Sequence, residues 1–169
     1  MVRILVTGGV RSGKSAHAET LLADRATVTY LAPGAVPTPD DPEWQARVAA
    51  HRARRPGHWV TLETSELGGL PDGPVLVDCL GTWLTAHLDE LGAWNGDAWR
   101  PTIEDRIAAV VQAVANADDI VLVTNEVGLG IVPDNALARR FRDHAGELKH
   151  QADALRIQVD QFLTRVRAA

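Results

Sequence analysis

An α/β fold, with a mostly parallel sheet and helices on both of its faces, follows from three features of this 169-residue sequence. Largely apolar runs recur at residues 2–7, 27–32, 74–78 and 120–124, the pattern of strands buried on both faces. Stretches with helical spacing separate them, as in successive crossover units. Gly8, Pro33, Asp78 and Asn125 stand at the C-terminal ends of these runs. Open sheets of this kind bind ligands beyond the carboxyl ends of their strands, so four separate pieces of sequence point at one edge.

The elements follow in order. Residues 2–7 form a strand that stops at Gly8. Residues 15–24 carry Ala18, Leu21 and Leu22 at helical spacing. Pro33-Gly34 closes the second strand, and 37–42 is a turn-rich loop. Asp40 or Asp41 caps the next helix, with Pro42 favoured in its first turn. That helix runs through Trp44, Val48 and His51 and ends before Pro56. Residues 58–62 are a short strand and 74–78 a clear one, followed by a helix over 80–91. Pro101 opens a helix over 103–115, and the strand at 120–124 runs into Asn125 and Glu126. Residues 127–133 are a glycine-bearing loop, and the pattern from Asn135 onward is helical.

The length suits one domain over residues 1–169. A net charge of −5 argues against a general nucleic-acid binder. The one cysteine, Cys79, excludes an intramolecular disulfide and a cysteine-based zinc site, which fits a cytoplasmic protein. The start, MVRILVTGG, lacks the longer apolar core of a signal peptide, and no stretch approaches a membrane span.

GGVRSGKS places Gly8, Gly13, Lys14 and Ser15 in the spacing G-x-x-x-x-G-K-S, after a strand and at the start of a helix. That context makes it a P-loop and the fold P-loop NTPase-like, a RecA-like three-layer sandwich. The glycines let backbone N–H groups turn toward phosphate oxygens. Lys14 reaches the β and γ phosphates of ATP or GTP, and the Ser15 hydroxyl binds Mg²⁺. Asp78, ending VLVD, is the expected second magnesium anchor, directly or through water; its plainer role is an N-cap for the following helix. Glu126 adds a carboxylate on the same edge.

A P-loop alone leaves the reaction type open between a small-molecule kinase and a regulatory nucleotide-binding module. AAHRARRPGHW narrows it. His51 precedes Arg52, Arg54 and Arg55. Guanidinium charges disfavour protonation of an imidazole, and a neutral ring is a nucleophile toward phosphorus. Taken alone, a histidine among arginines is more often a solvated helix surface.

In order, the segments ILVTGGVRSGKSAHAE, HRARRPGHWVTLE, VLVDCLGTWLT and VTNEVGLGIVPDNALARRFRDHAG resemble the adenosylcobinamide kinase/adenosylcobinamide-phosphate guanylyltransferase family of cobalamin biosynthesis. The resemblance implies two reactions. A nucleoside triphosphate phosphorylates the hydroxyl of the aminopropanol arm of adenosylcobinamide. GTP then donates GMP to that phosphate through a guanylylated histidine, His51, releasing pyrophosphate. It further implies nucleotide contacts at Gly8, Gly9, Val10, Arg11, Ser12, Gly13, Lys14 and Ser15, at Pro33, Gly34 and Ala35, at Arg52, Ala53, Arg54 and Arg55, and at Glu63 and Asp78. A homotrimer and one antiparallel strand in the sheet are implied too. After Gly146 the sequence departs from the family's pattern: Lys149-His150 replace an expected Asn-Gln, and the tail keeps helical spacing where a last strand is expected.

Other conspicuous residues have plainer readings. His58 suits a strand edge, and His17 a position on or near the surface of the first helix. His87, His144 and His150 show no metal-ligand pairing. Trp83, Trp94 and Trp99 are more readily core or oligomer contacts than walls of a corrin pocket. Leu155, Val159, Phe162 and Val166 make a packing stripe.

Overall fold

The computed structural model describes residues 2–93 and 98–126, which belong to one compact unit, Met1–Glu126. The readings made above for Trp94, the loop at 127–133, the C-terminal helical pattern, His144, His150 and most of the NEVGLGIVP segment lie outside the described residues.

Among the described residues nine elements occur in the order β1 (Val2–Gly8), α1 (Lys14–Thr20), β2 (Thr29–Leu31), α2 (Pro42–Arg54), β3 (Val60–Leu62), β4 (Val75–Asp78), α3 (Leu80–Glu90), α4 (Arg100–Asn116) and β5 (Asp119–Asn125). The strands form one sheet ordered β1-β5-β4-β2-β3, and every pairing among them is parallel. An antiparallel strand is not among the five. β2 and β3 are shorter than the sequence pattern indicates. Before β3, the Trp59 N–H turns back to the Pro56 carbonyl at 3.0 Å, so ladder pairing starts only at Val60.

The crossovers place helices on both faces. The connection β1–α1–β2 moves along the sheet in one direction and β4–α3–α4–β5 moves in the other. Right-handed crossovers running in opposite directions lie on opposite faces. The strand alternation agrees. Ile4, Val6, Tyr30, Leu76, Val121 and Val123 share the core on the α1 face with Ala18 and Leu22. Val75, Val77 and Ile120 point the other way and are also buried. β4 is therefore covered on both sides, which is why it reads as an unbroken apolar run. Burying each such side chain contributes about 1.5–3 kcal/mol.

Local chemistry sets the helix boundaries near the site. Asp41 is the N-cap of α2, its carboxylate accepting from the Trp44 N–H at 2.9 Å, and Pro42 opens the first turn. Pro56 forces Arg55 into an extended conformation and stops the helix. No residue of α2 is buried. Polar links hold it, among them Trp44 Nε1 to the Ala35 carbonyl at 2.9 Å and Gln45 Nε2 to the Thr38 carbonyl at 2.8 Å. At α3 the cap is Cys79, in a reciprocal box with Thr82. The capping role considered for Asp78 thus belongs to its neighbour, and the Asp78 carboxylate is turned to other partners.

Candidate active site

The loop after β1 has the backbone its sequence demands. Gly13 has φ +85° and Arg11 φ +58°, left-handed conformations that turn successive N–H groups toward one side. A Cβ on Gly8 would lie 2.7 Å from Ser12 Oγ, so a larger residue there would require the serine hydroxyl to turn away. Lys14 is buried and lies over the loop, its Nζ donating to the Gly9 carbonyl at 3.1 Å.

At the end of β4, Asp78 draws polar side chains together. The Tyr30 hydroxyl donates to Asp78 Oδ2 at 2.6 Å, and His51 Nδ1 lies 3.4 Å from the same oxygen. Ser15 lines the same cleft. Burial raises the carboxyl's pKa, but hydrogen bonds from His51, Tyr30 and Ser15 outweigh it and hold Asp78 below the usual carboxylate range. Burial, then the neighbouring Asp78 charge, pushes the Tyr30 phenol well above its ordinary value, so it stays a neutral donor. The ionised carboxylate beside the Ser15 hydroxyl is a pair of hard oxygen ligands, which fits magnesium.

The arginines after His51 are individually committed. Arg52 pairs with Glu63. Arg54 pairs with Glu19 at 3.1 Å and also lies 3.4 Å from His51 Nδ1. Arg55 stacks over the Tyr30 ring at 3.7 Å and donates to Thr61 Oγ1. The imidazole therefore faces a carboxylate as well as a guanidinium, an arrangement the arginine-rich sequence does not disclose.

One open cleft collects much of this chemistry. Lys14, Ser15, Gly34, Ala35, His51, Arg55, Glu63 and Asp78 line it. Gly8, Gly9, Val10, Arg11, Ser12 and Gly13 form the adjoining loop, and Pro33 precedes the lining residues of the second strand's loop. Arg52, Ala53 and Arg54 lie on the exposed end of α2 rather than in the wall.

The structure adds residues to this set. Tyr30 carries a hydroxyl on a buried position of β2, a signal that was available in the sequence. Asn125, opposite Gly8 in the β1–β5 register, also lines the cleft, and its Oδ1 is buried without a partner. Trp44 and Thr82 complete the wall.

The remaining candidates fall elsewhere. His17 and His58 are exposed. Trp83 and Trp99 are buried, and Trp83 Nε1 donates to the Ser65 carbonyl at 2.8 Å, so both are packing residues. Beside Trp83, His87 is buried with Nε2 3.2 Å from that same carbonyl and Nδ1 against Glu90 and Arg106. Among the described residues no cluster of three His, Cys, Asp or Glu side chains is arranged to hold a metal, and no helix is long and apolar enough to cross a membrane.

The model of the family described as cobinamide kinase / cobinamide phosphate guanyltransferase matches residues 4–162, a span that includes part of the divergent tail. The sequence is 41% identical over 172 positions to the bifunctional adenosylcobalamin biosynthesis protein CobU of Salmonella typhimurium, covering 92% of each chain. It is 41% identical over 170 positions to the protein of the same name from Escherichia coli, again covering 92% of each. The bifunctional adenosylcobalamin biosynthesis protein CobP of Pseudomonas aeruginosa is 39% identical over 172 positions, covering 95% of this chain and 92% of its own.

Proposed function

The chain belongs to the cobinamide kinase / cobinamide phosphate guanyltransferase family, and from that premise we propose how its residues divide the two reactions. The protein is a transferase of cobalamin biosynthesis, acting as kinase on cobinamide and as guanylyltransferase on cobinamide phosphate. We assign both steps to the cleft at the strand tips of a single P-loop domain over residues 1–169. In the kinase step, Lys14 and the N–H groups of Gly8 to Ser15 hold the triphosphate of ATP or GTP, and the phosphoryl group passes to the hydroxyl of adenosylcobinamide. Magnesium, held by Ser15 and Asp78, neutralises phosphate charge when bound.

In the transferase step, His51 attacks the α-phosphorus of GTP and pyrophosphate leaves. The negative charge on the leaving group falls where Lys14 and the loop amides lie. Adenosylcobinamide phosphate then takes the GMP from the histidine, giving adenosylcobinamide-GDP. The observation carrying this division is that His51, 3.4 Å from Asp78 at the tip of β4, lines the same cleft as Lys14 and Ser15 of the phosphate loop. Arg55 and Glu63 face the same cleft and belong to the nucleotide site in this reading. A homotrimer and a cytoplasmic location complete the proposal; sedimentation and cell fractionation test them.

The decisive experiment supplies GTP labelled at the α-phosphorus with magnesium. A protein adduct that is acid-labile and alkali-stable, and absent in His51→Ala, is expected. Absence of the adduct, or its persistence in His51→Ala, removes the guanylyl-histidine. ATP turnover independent of added cobinamide would count against the kinase assignment.

A further inference from the structure

The geometry points to Nε2 as the atom of His51 that takes GMP, with Asp78 as the group that keeps the ring proton on Nδ1 and Tyr30 as the residue that positions Asp78. This rests on the guanylyl-histidine reading above and fixes which nitrogen reacts.

Both polar contacts of the ring among the described residues fall on Nδ1: an Arg54 nitrogen in hydrogen-bond geometry and Asp78 Oδ2 at ion-pair distance, each at 3.4 Å. They make opposite demands. A carboxylate accepts, so it needs a proton on Nδ1. A guanidinium only donates, so it needs a lone pair there. The two are not equal competitors. Arg54 already has a charged partner in Glu19 at 3.1 Å, on a side chain that is itself mostly buried. Asp78 is the more enclosed group, its side chain only 6% exposed, and an enclosed anion gains most from each further donor. The Tyr30 hydroxyl, at 2.6 Å, fixes Oδ2 as an acceptor and holds it toward the ring. Both contacts use Oδ2, so orienting the imidazole does not require Oδ1.

With the proton on Nδ1, the lone pair is on Nε2. The step then balances without proton transfer. The Nε2 pair forms the N–P bond to the α-phosphorus, the bond from that phosphorus to the bridging oxygen breaks, and pyrophosphate departs with the electron pair. The ring becomes a cation still protonated at Nδ1, and the Asp78 carboxylate lies beside that charge as it develops. In the second half the acceptor phosphate attacks, the N–P bond breaks, and the pair returns to Nε2. The other tautomer would place the reacting nitrogen between Asp78 and Arg54, where an incoming phosphorus meets both side chains.

The test is magnetic resonance on protein carrying ¹⁵N-histidine. In the nucleotide-free, magnesium-free protein, with the ring neutral, the His51 signals should report a protonated Nδ1 and an unprotonated Nε2. After reaction with GTP and magnesium, phosphorus on Nε2 couples to both Hδ2 and Hε1, whereas phosphorus on Nδ1 couples to Hε1 only. Coupling to both protons is expected. Tyr30→Phe should shift the neutral ring toward a mixture of tautomers and slow adduct formation about tenfold at saturating GTP, the loss of one hydrogen bond to a charged group. Coupling to Hε1 alone overturns the inference while leaving the guanylyl-histidine intact. A wild-type ring pattern and rate in Tyr30→Phe overturns the role of Tyr30. No adduct at all sinks the guanylyl-histidine itself, and this inference with it.

Discussion

Two histidines in this protein each sit between a carboxylate and an arginine, and they have opposite fates. His87, on α3, is enclosed: Nε2 meets the Ser65 carbonyl, Nδ1 meets Glu90 and Arg106, and the Trp83 ring abuts it edge-on at 4.6 Å. Every valence of that imidazole is spoken for. His51, on α2, is also ringed by charge, but its contacts fall on one nitrogen and its side chain is 24% exposed toward the cleft. In the proposed reaction the same three residue types make a fastening in one place and a reagent in the other. What separates them is a ring nitrogen without a polar contact among the described residues, on a side chain that lines the cleft with Lys14 and Ser15.

Four substitutions break or sharpen this contrast. His51→Ala should have the largest effect, lowering guanylyl transfer by roughly 10⁴-fold or more, because in the proposed mechanism the nucleophile has no substitute. Its melting temperature should stay close to wild type, since α2 buries none of its residues. A labelled adduct assay beside a thermal melt measures both. Lys14→Ala should come next, costing about 10²–10³-fold, and it should depress the kinase and transferase steps together. Loss of one step alone would show that the two reactions do not share the loop.

His87→Ala should invert the pattern. It leaves a cavity and strands the groups around it, costing about 2–4 kcal/mol in denaturant unfolding, with adduct formation per folded molecule intact. Glu90→Gln should give the smallest effect. Hydrogen bonds from Arg106, then His87, hold Glu90 at about 2, below the ordinary glutamate value. A depressed carboxyl stabilises the fold above its unfolded pKa of about 4.3 and loses that contribution as pH falls through the folded value. The gap in melting temperature between wild type and Glu90→Gln should therefore be present at neutral pH and close between about pH 4 and 2. A gap independent of pH would mean that Glu90 acts through packing.

The sequence made some of these parts legible and hid others, for physical reasons. The phosphate loop, the strand tips and the bounds of α2 rest on local rules: a left-handed glycine, a capping aspartate, a proline that stops a helix. All of these were readable from a few neighbouring residues. The meeting of His51 with Asp78 is not local. It depends on β4 lying next to β2, on α2 leaving β2 at a particular angle, and on Cys79 taking the cap that Asp78 might have filled. Tyr30 was hidden in an apolar run, where alternation says which face a side chain takes but not that its hydroxyl has a client. Asn125 was visible as a strand end, yet its unpartnered oxygen exists only once three strands stand side by side.

Among the described residues the phosphate loop occurs once, while the assigned cycle consumes two nucleoside triphosphates. With both steps assigned to that loop, the two triphosphates occupy the same seat in succession. The spent nucleotide of the first transfer has to vacate before GTP can enter, and the newly phosphorylated corrinoid must either wait through that exchange or leave and return. Leftover diphosphate becomes a rival of the incoming GTP, so the throughput of the whole cycle is tied to how quickly one cradle empties.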